Sequence, residues 1–216
     1  MDQKAITKSF RKVESEVKGN PFTKPLLSRD ISIIVPDTSA IIDLQRMCRD
    51  YKGDIGRYSN PCLFLEDLES YTRRILIPSA IHDEILNHRN VKVNVNTYEI
   101  SPGFCDFLHK VHQTSNGIFG NIKYSADSEQ VGLEVHWASV LACNGNYKKQ
   151  EECFSEADRE LLKIVCLLEN AVLGSGENSR KISLVNVLSS DEHIFKGVEF
   201  MREKCGYERI KCLRFR

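Results

Sequence analysis

Apolar residues fall along the chain in two kinds of pattern, short uninterrupted runs and longer stretches with helical spacing. The runs 31–35 (ISIIV), 75–78 (ILIP) and 182–188 (ISLVNVL) are typical of strands buried on both faces of a parallel sheet. Two further strands are predicted at 93–101 and 209–215. Because the strands alternate with helical stretches, we predict an α/β protein with three α-β-α layers and a central, about five-stranded parallel sheet.

Helical spacing is clearest in residues 154–173, where Leu161, Leu162 and Val165 lie on one face. Further helices are predicted at 2–18, 39–50, 63–74, 80–89, 102–114, 129–142 and 189–206. We read residues 1–30 as an N-terminal helical arm and residues 31–216 as the main domain. Within that domain, 102–150 is a helical insertion of unassigned role.

Composition limits the partners and the compartment. The 216 residues include 30 Lys and Arg and 30 Asp and Glu, so a nucleic acid would have to be held by a local basic patch. The 8 cysteines contain no C-x-x-C pair, which argues against a zinc module. No signal peptide or membrane-length apolar run is visible, so we expect a cytoplasmic protein with reduced thiols and no membrane partner.

Four acidic residues stand close to the ends of predicted strands. In "IIVPDTSAIID" (33–43), Asp37 directly follows a buried run, although Asp is a poor strand residue. Glu84 lies in the helix after the second strand, and Asp191 follows strand 182–188. Asp158 opens the helix that leads towards that strand. Because parallel α/β sheets bind ligands at the carboxyl ends of their strands, we expect the four carboxylates to converge there.

Carboxylates brought together repel one another unless a cation neutralises them. The hard ions Mg²⁺ and Mn²⁺ prefer such oxygen ligands and can assist hydrolysis of a phosphodiester. We therefore predict a metal site formed by these four acids. The hydroxyls of Thr38, Ser39 and Ser189 could position metal waters or a phosphate oxygen. The helix N-termini beside Ser39 and Ser190 could supply amide donors to phosphate.

These residues resemble the PIN domains, a family of metal-dependent nucleases that mostly act on RNA. The family pattern is a strand ending in Asp-x-Ser or Asp-x-Asn, a helical Glu after the second strand, an Asp near a helix start, and an Asp after a later strand. The four stretches that match it, in the same order, are "IIVPDTSAIID", "ILIPSAIHDEIL", "FSEADRELLKIV" and "LVNVLSSDEHIF". The match covers roughly residues 31–100 and 154–215.

The resemblance implies a PIN-like fold and an endoribonuclease that uses Mg²⁺ or Mn²⁺. It implies Asp37, Glu84, Asp158 and Asp191 as the catalytic, metal-binding acids, with Ser39 and Ser189 as accessory groups. Single-stranded or structured RNA would be the partner, and a homodimer is compatible with the sequence. Two alternatives stay open: an inactive PIN scaffold that binds RNA or protein, and the toxin of a toxin–antitoxin pair. A haloacid-dehalogenase phosphatase would need a second Asp where Ser39 stands.

Each acid also has a structural interpretation. Asp158 could close a capping box with Ser155, and Asp191 could interact with a helix dipole. Glu84 could be a solvated helix residue, with its neighbour Asp83 as a rival for the site. Secondary acidic candidates are Asp43, Glu156 and Glu192. We expect His109 and His112 on the surface or in the core, and Trp137 in the core. The basic side chains that could bind an RNA backbone are Arg46, Arg49, Lys52, Arg57, Arg73, Arg74, Lys148, Lys149 and Lys196.

Overall fold

The structure is a computed structural model that describes residues 2–19, 30–72, 74–88, 100–143, 154–176 and 179–215. In this part of the chain, eight helices accompany a five-stranded sheet. The α-helices are α1 (Gln3–Lys18), α2 (Thr38–Asp50), α3 (Pro61–Thr72), α4 (Ser79–His88), α5 (Pro102–Phe119), α6 (Ser128–Ala142), α7 (Glu156–Leu168) and α8 (Glu192–Lys204). The strands are β1 (Asp30–Pro36), β2 (Ile122–Lys123), β3 (Val172–Leu173), β4 (Arg180–Leu188) and β5 (Ile210–Leu213).

Two of the predicted apolar runs form the centre of the sheet. Strands β1 and β4 are parallel, with Pro36 opposite Leu188, and β5 runs parallel to β4 on its other side. The side chains of β4 are buried from Ile182 to Leu188, as expected for a strand covered on both faces. The three strands therefore end at one edge of the sheet, which we call the carboxyl edge.

The prediction of a parallel sheet is wrong for β2 and β3, so the sheet is mixed. Strand β3 pairs antiparallel with β4, and β2 pairs antiparallel with β3. The predicted helix 154–173 ends at Leu168, and Asn170 has a positive φ of 63° that turns the chain. Only six residues separate β3 from β4 in the sequence, and a connection this short can join only antiparallel strands.

The predicted strand 75–78 is reduced to one bridge, between Ile75 and Ile34. Side chains of α5 take the place of a further strand: the amide of Ile77 donates to Ser115 Oγ at 3.0 Å, and His112 Nδ1 donates to the Ile77 carbonyl at 3.0 Å. Helix α5 also extends to Phe119, beyond the predicted end at residue 114. Residues 93–99 of the predicted strand 93–101 lie outside the described residues.

Helix α1 packs into the main core. Its apolar residues Ile6, Phe10, Val13 and Val17 are all fully buried. The Phe10 ring stacks on Tyr58 at a centroid distance of 4.5 Å and contacts Phe64 at 4.8 Å. The N-terminal helix is thus part of the same hydrophobic cluster as β1 and β4.

Helix α6 differs from the prediction that Trp137 is a core residue. Trp137 is 51% exposed and lies in an exposed row with Leu133 and Leu141. The helix is apolar on nearly all sides, so hydrophobic spacing could not tell which face would be buried. In the described parts of the chain, no helix is long and apolar enough to cross a membrane.

Candidate active site

Asp37 lies at the carboxyl edge, where β1 ends and α2 begins. Its amide donates to the Leu188 carbonyl at 2.8 Å, and the amide of Ser189 donates to the Leu213 carbonyl at 3.1 Å. These bonds extend the register of β1, β4 and β5 by one residue. The register therefore places Asp37 beside Ser189, although 152 positions separate them in the chain, and Asp37 is only 3% exposed.

Two hydroxyls donate to the same carboxylate oxygen of Asp37. Ser39 Oγ lies 2.5 Å and Ser189 Oγ 2.7 Å from Asp37 Oδ2. Each hydroxyl in turn accepts from a backbone amide, Ser39 from Ser190 and Ser189 from Asp191, both at 3.0 Å. The amides at the start of α8 thus polarise the hydroxyls that hold Asp37.

A second set of hydrogen bonds joins α2, α4 and α7. Thr38 Oγ1 donates to Glu84 Oε2 at 2.7 Å, and Ser155 Oγ donates to Glu84 Oε1 at 3.2 Å. Ser155 also forms the capping box with Asp158: the Ser155 amide donates to Asp158 Oδ2 at 2.7 Å. Glu84 is therefore held by hydroxyls from two other segments, and it is half-buried.

Asp191 is the N-cap of α8, as its dipole interpretation predicts. Its Oδ1 accepts from the His193 amide at 2.6 Å and lies 3.2 Å from His193 Nδ1. Asp158 likewise has its structural role at the start of α7. Both acids serve their helices, and each is also coupled electrostatically to another predicted acid: Asp191 acts on Asp37, and Asp37 and Glu84 act on Asp158.

Burial and mutual repulsion raise the pKa values of two of the acids. The pKa of Asp158 is raised to about 6: burial is the largest cause, the negative charges of Asp37 and Glu84 add to the rise, and the hydrogen bonds with Ser155 oppose it. Burial also raises the pKa of Asp37, with a smaller contribution from Asp191, while Ser39 and Ser189 oppose the shift. The charge of Asp191 therefore acts on Asp37, the charges of Asp37 and Glu84 act on Asp158, and no cationic side chain is among the causes of either shift.

The secondary acidic candidates lie outside these hydrogen bonds. Asp43 forms an ion pair with Arg46 at 2.6 Å, and Glu192 forms one with Arg214 at 2.8 Å. Glu156 is exposed at the start of α7. Neither Asp43 nor Glu192 is therefore an uncompensated charge at the carboxyl edge.

Metal coordination by three or more side chains is not preformed. Across residues 2–19, 30–72, 74–88, 100–143, 154–176 and 179–215, no three His, Cys, Asp or Glu side chains are arranged to hold a metal ion together. The chemistry of the four oxygen donors nevertheless suits a hard divalent cation. Mg²⁺ commonly keeps several waters and uses only one or two carboxylates, so it does not require three direct ligands.

The predicted accessory groups form hydrogen bonds within the site. The hydroxyls of Thr38, Ser39 and Ser189 donate to carboxylates of the site rather than facing outward to a phosphate. The amides of Ser190 and Asp191, expected to bind phosphate, are bonded to hydroxyls. The sequence did not indicate the bond from Ser155 to Glu84, because a capping box is a local motif and says nothing of a partner 71 residues away.

Comparisons with known proteins add no relative. No protein-family model, no curated protein and no solved structure matches this chain. The resemblance to PIN domains therefore rests on the four sequence motifs alone.

Proposed function

We propose that this protein is a metal-dependent endoribonuclease with a PIN-like domain. The observation that carries the proposal is the hydrogen-bonded link between four distant segments: Asp37 to Ser189, Thr38 to Glu84, and Glu84 through Ser155 to Asp158. The four acids belong to the four matching motifs and interact electrostatically. Perturbed carboxylates at the carboxyl edge of an α/β sheet are typical of a functional site.

The arrangement of the strands supports a PIN-like fold. The parallel part of the sheet follows the spatial order Ile75 bridge, β1, β4 and β5. This order places the first and last motifs side by side and the helix carrying Glu84 next to them. We interpret β2 and β3 as an antiparallel addition to a three-layer domain.

The hydroxyl side chains of the site would act by keeping the carboxylates ionised and fixed in position. Ser39 and Ser189 stabilise the ionised form of Asp37 despite its burial, and Thr38 and Ser155 fix both oxygens of Glu84. Asp37 and Glu84 would hold the ion, with Asp158 and Asp191 contacting its waters. A bound Mg²⁺ or Mn²⁺ would neutralise charge on the phosphodiester and lower the pKa of water.

Cleavage of a labelled RNA tests the proposal. We expect cleavage with Mn²⁺, none with EDTA, and a rate lower by about 100-fold or more in Asp37→Asn. The matched control is Glu169→Gln, because burial raises the pKa of Glu169 too, yet Glu169 lies near the opposite end of β4. Cleavage that survives EDTA, or equal losses in both variants, would reject the proposal.

A second candidate is a non-catalytic scaffold that binds RNA. The lack of a preformed three-ligand group in the described residues favours it, as does the capping box that holds Asp158. It predicts that the wild-type protein binds RNA but cleaves none with Mg²⁺ or Mn²⁺. The same assay therefore separates the two candidates.

A further inference from the structure

The exposed face of α1 carries a row of positive charges. Lys4, Lys8, Arg11 and Lys12 are all exposed, and their spacing places them along one side of the helix. Glu14 and Glu16, the acids of α1, point elsewhere: Glu14 bonds Arg57 and Tyr58, and Glu16 pairs with Lys211. The chain has no net charge, so this face is a local basic patch.

This face borders a groove between α1 and α2. The groove has a volume of about 480 Å³ and is lined by Ala5, Lys8, Ser9, Lys12, Asp43, Arg46, Met47 and Phe215. Its lining carries three basic side chains, Lys8, Lys12 and Arg46, and one acid, Asp43, which forms an ion pair with Arg46. Ala5, Met47 and Phe215 contribute an apolar floor.

The groove lies near the carboxyl edge of the sheet. Its lining includes Asp43 and Arg46 of α2, the helix that begins directly after Asp37. Asp43 is six residues after Asp37, about 9 Å along the helix axis. Phe215, at the other side of the groove, follows β5, which ends at the same edge as β4.

We propose that this groove binds the phosphodiester backbone of a single-stranded RNA whose scissile phosphate lies at the acidic site. The inference rests on the proposed function and extends it to a binding surface. The spacing and the charge of the row of basic residues on α1 suit consecutive phosphates. A lipid surface fits less well, because membrane-bound helices bury their apolar face in lipid, whereas Phe10 and Val13 are fully buried in the core.

Three of the other basic candidates, Arg46, Arg49 and Arg57, are engaged in ion pairs. Arg57 is paired with Glu14 at 2.7 Å, and Arg49 lies 3.2 Å from Asp50. Lys4, Lys8 and Arg11, by contrast, form no ion pair with the residues that the structure describes. These three side chains are therefore available to phosphate.

The test measures binding without cleavage. A fluorescein-labelled oligouridylate of about 20 nucleotides is titrated with the full chain in EDTA, and anisotropy is followed at several salt concentrations from about 50 to 200 mM. We expect the triple variant Lys4→Gln, Lys8→Gln, Arg11→Gln to raise Kd about tenfold or more and to reduce the slope of log K against log salt by about 2. Thermal unfolding of each variant verifies that α1 stays folded.

The matched control is Lys110→Gln, Arg202→Gln, Lys204→Gln, which removes three exposed charges from α5 and α8. We expect it to bind as the wild-type protein does. Three results would overturn the proposed RNA-binding site. They are equal losses of affinity in both triple variants, an unchanged Kd in the α1 variant, and binding of the wild-type protein to phosphatidylserine vesicles but not to RNA. The binding assay measures no cleavage. If Asp37→Asn fails to abolish hydrolysis in the cleavage assay, that result rejects the proposed nuclease activity but not the proposed RNA-binding groove.

Discussion

Thr38 donates its hydroxyl proton to Glu84 Oε2 at 2.7 Å, and this bond joins the first helix after β1 to the middle of α4. Thr38 follows Asp37, whose own carboxylate is held by Ser39 and Ser189. The short segment 37–39 therefore positions two of the proposed acids. Its backbone register places Asp37, and the side chain of Thr38 holds Glu84. The position of Glu84 depends on α2 being correctly placed on the sheet.

Added Mn²⁺ should stabilise the wild-type protein. At a free concentration 100 times its Kd, an ion that binds only the folded state raises the free energy of unfolding by about 2.7 kcal/mol. We expect this gain in the wild-type protein and in Glu169→Gln, and little gain in Asp37→Asn. Chemical denaturation with and without Mn²⁺ measures it, and equal stabilisation of all three proteins would argue for binding elsewhere.

Removing the charge of Asp158 should stabilise the metal-free protein above pH 6. The pKa of Asp158 is raised from 3.8 to about 6, so the folded state binds this proton more tightly than the unfolded state. The free energy of unfolding therefore falls as the pH rises from about 4 to about 6, and the cost persists at higher pH.

The substitution Asp158→Asn keeps an oxygen for the Ser155 amide but cannot ionise. We expect it to be more stable than the wild-type protein by about 1–2 kcal/mol at pH 7.5 in EDTA, with the difference lost near pH 4. Urea unfolding at both pH values measures the difference. If Asp158→Asn is less stable than the wild-type protein at pH 7.5, the capping interaction of Asp158 stabilises the fold by more than its charge destabilises it.

Ser189→Ala should destabilise the protein at neutral pH. It removes a donor to the buried carboxylate of Asp37 and leaves the Asp191 amide without its hydroxyl acceptor. A loss of about 1–3 kcal/mol is expected for such unpaired buried groups.

Ser183→Ala is the matched control for Ser189→Ala. Ser183 is equally buried in β4, but its hydroxyl has no hydrogen-bond partner among the described residues. We expect Ser183→Ala to be neutral or slightly stabilising. Equal unfolding free energies for the two variants would remove the role assigned to the Ser189 hydroxyl.

Phe10→Ala should show that α1 belongs to the core. The ring is fully buried and stacks on Tyr58 at 4.5 Å, so its loss is expected to cost about 3–5 kcal/mol. Leu63→Ala, at a residue 47% exposed on α3, should change stability by less than about 0.5 kcal/mol. Denaturant titration compares the two, and a small effect of Phe10→Ala would indicate that α1 detaches easily.

The central strands and the proximity of Asp37 to Asp191 could be predicted because each depends on a local signal. Residues 31–35 and 182–188 are wholly or largely apolar and β-branched, and Asp37 and Asp191 follow them closely. The rule that parallel strands end at a common edge then brings those two acids together. The register of β1 with β4 agrees with that reasoning.

Other features depend on contacts that a local pattern does not encode. Residues 75–78 have the composition of a strand, but Ser115 and His112 of α5 satisfy the backbone of Ile77 in place of a neighbouring strand. Residues 172–173 continue the apolar spacing of α7, yet they pair with β4 after the turn at Asn170. In both cases a long-range hydrogen bond decides the structure, and such bonds leave no periodicity.

The most direct test of the central claim is a crystal of the protein soaked in Mn²⁺. The account predicts an anomalous peak at the carboxyl edge, within about 2.0–2.2 Å of an oxygen of Asp37 or Glu84, with Asp158 and Asp191 close enough to contact its waters. No peak there at saturating Mn²⁺, or one of the four acids turned away from the others, would contradict it.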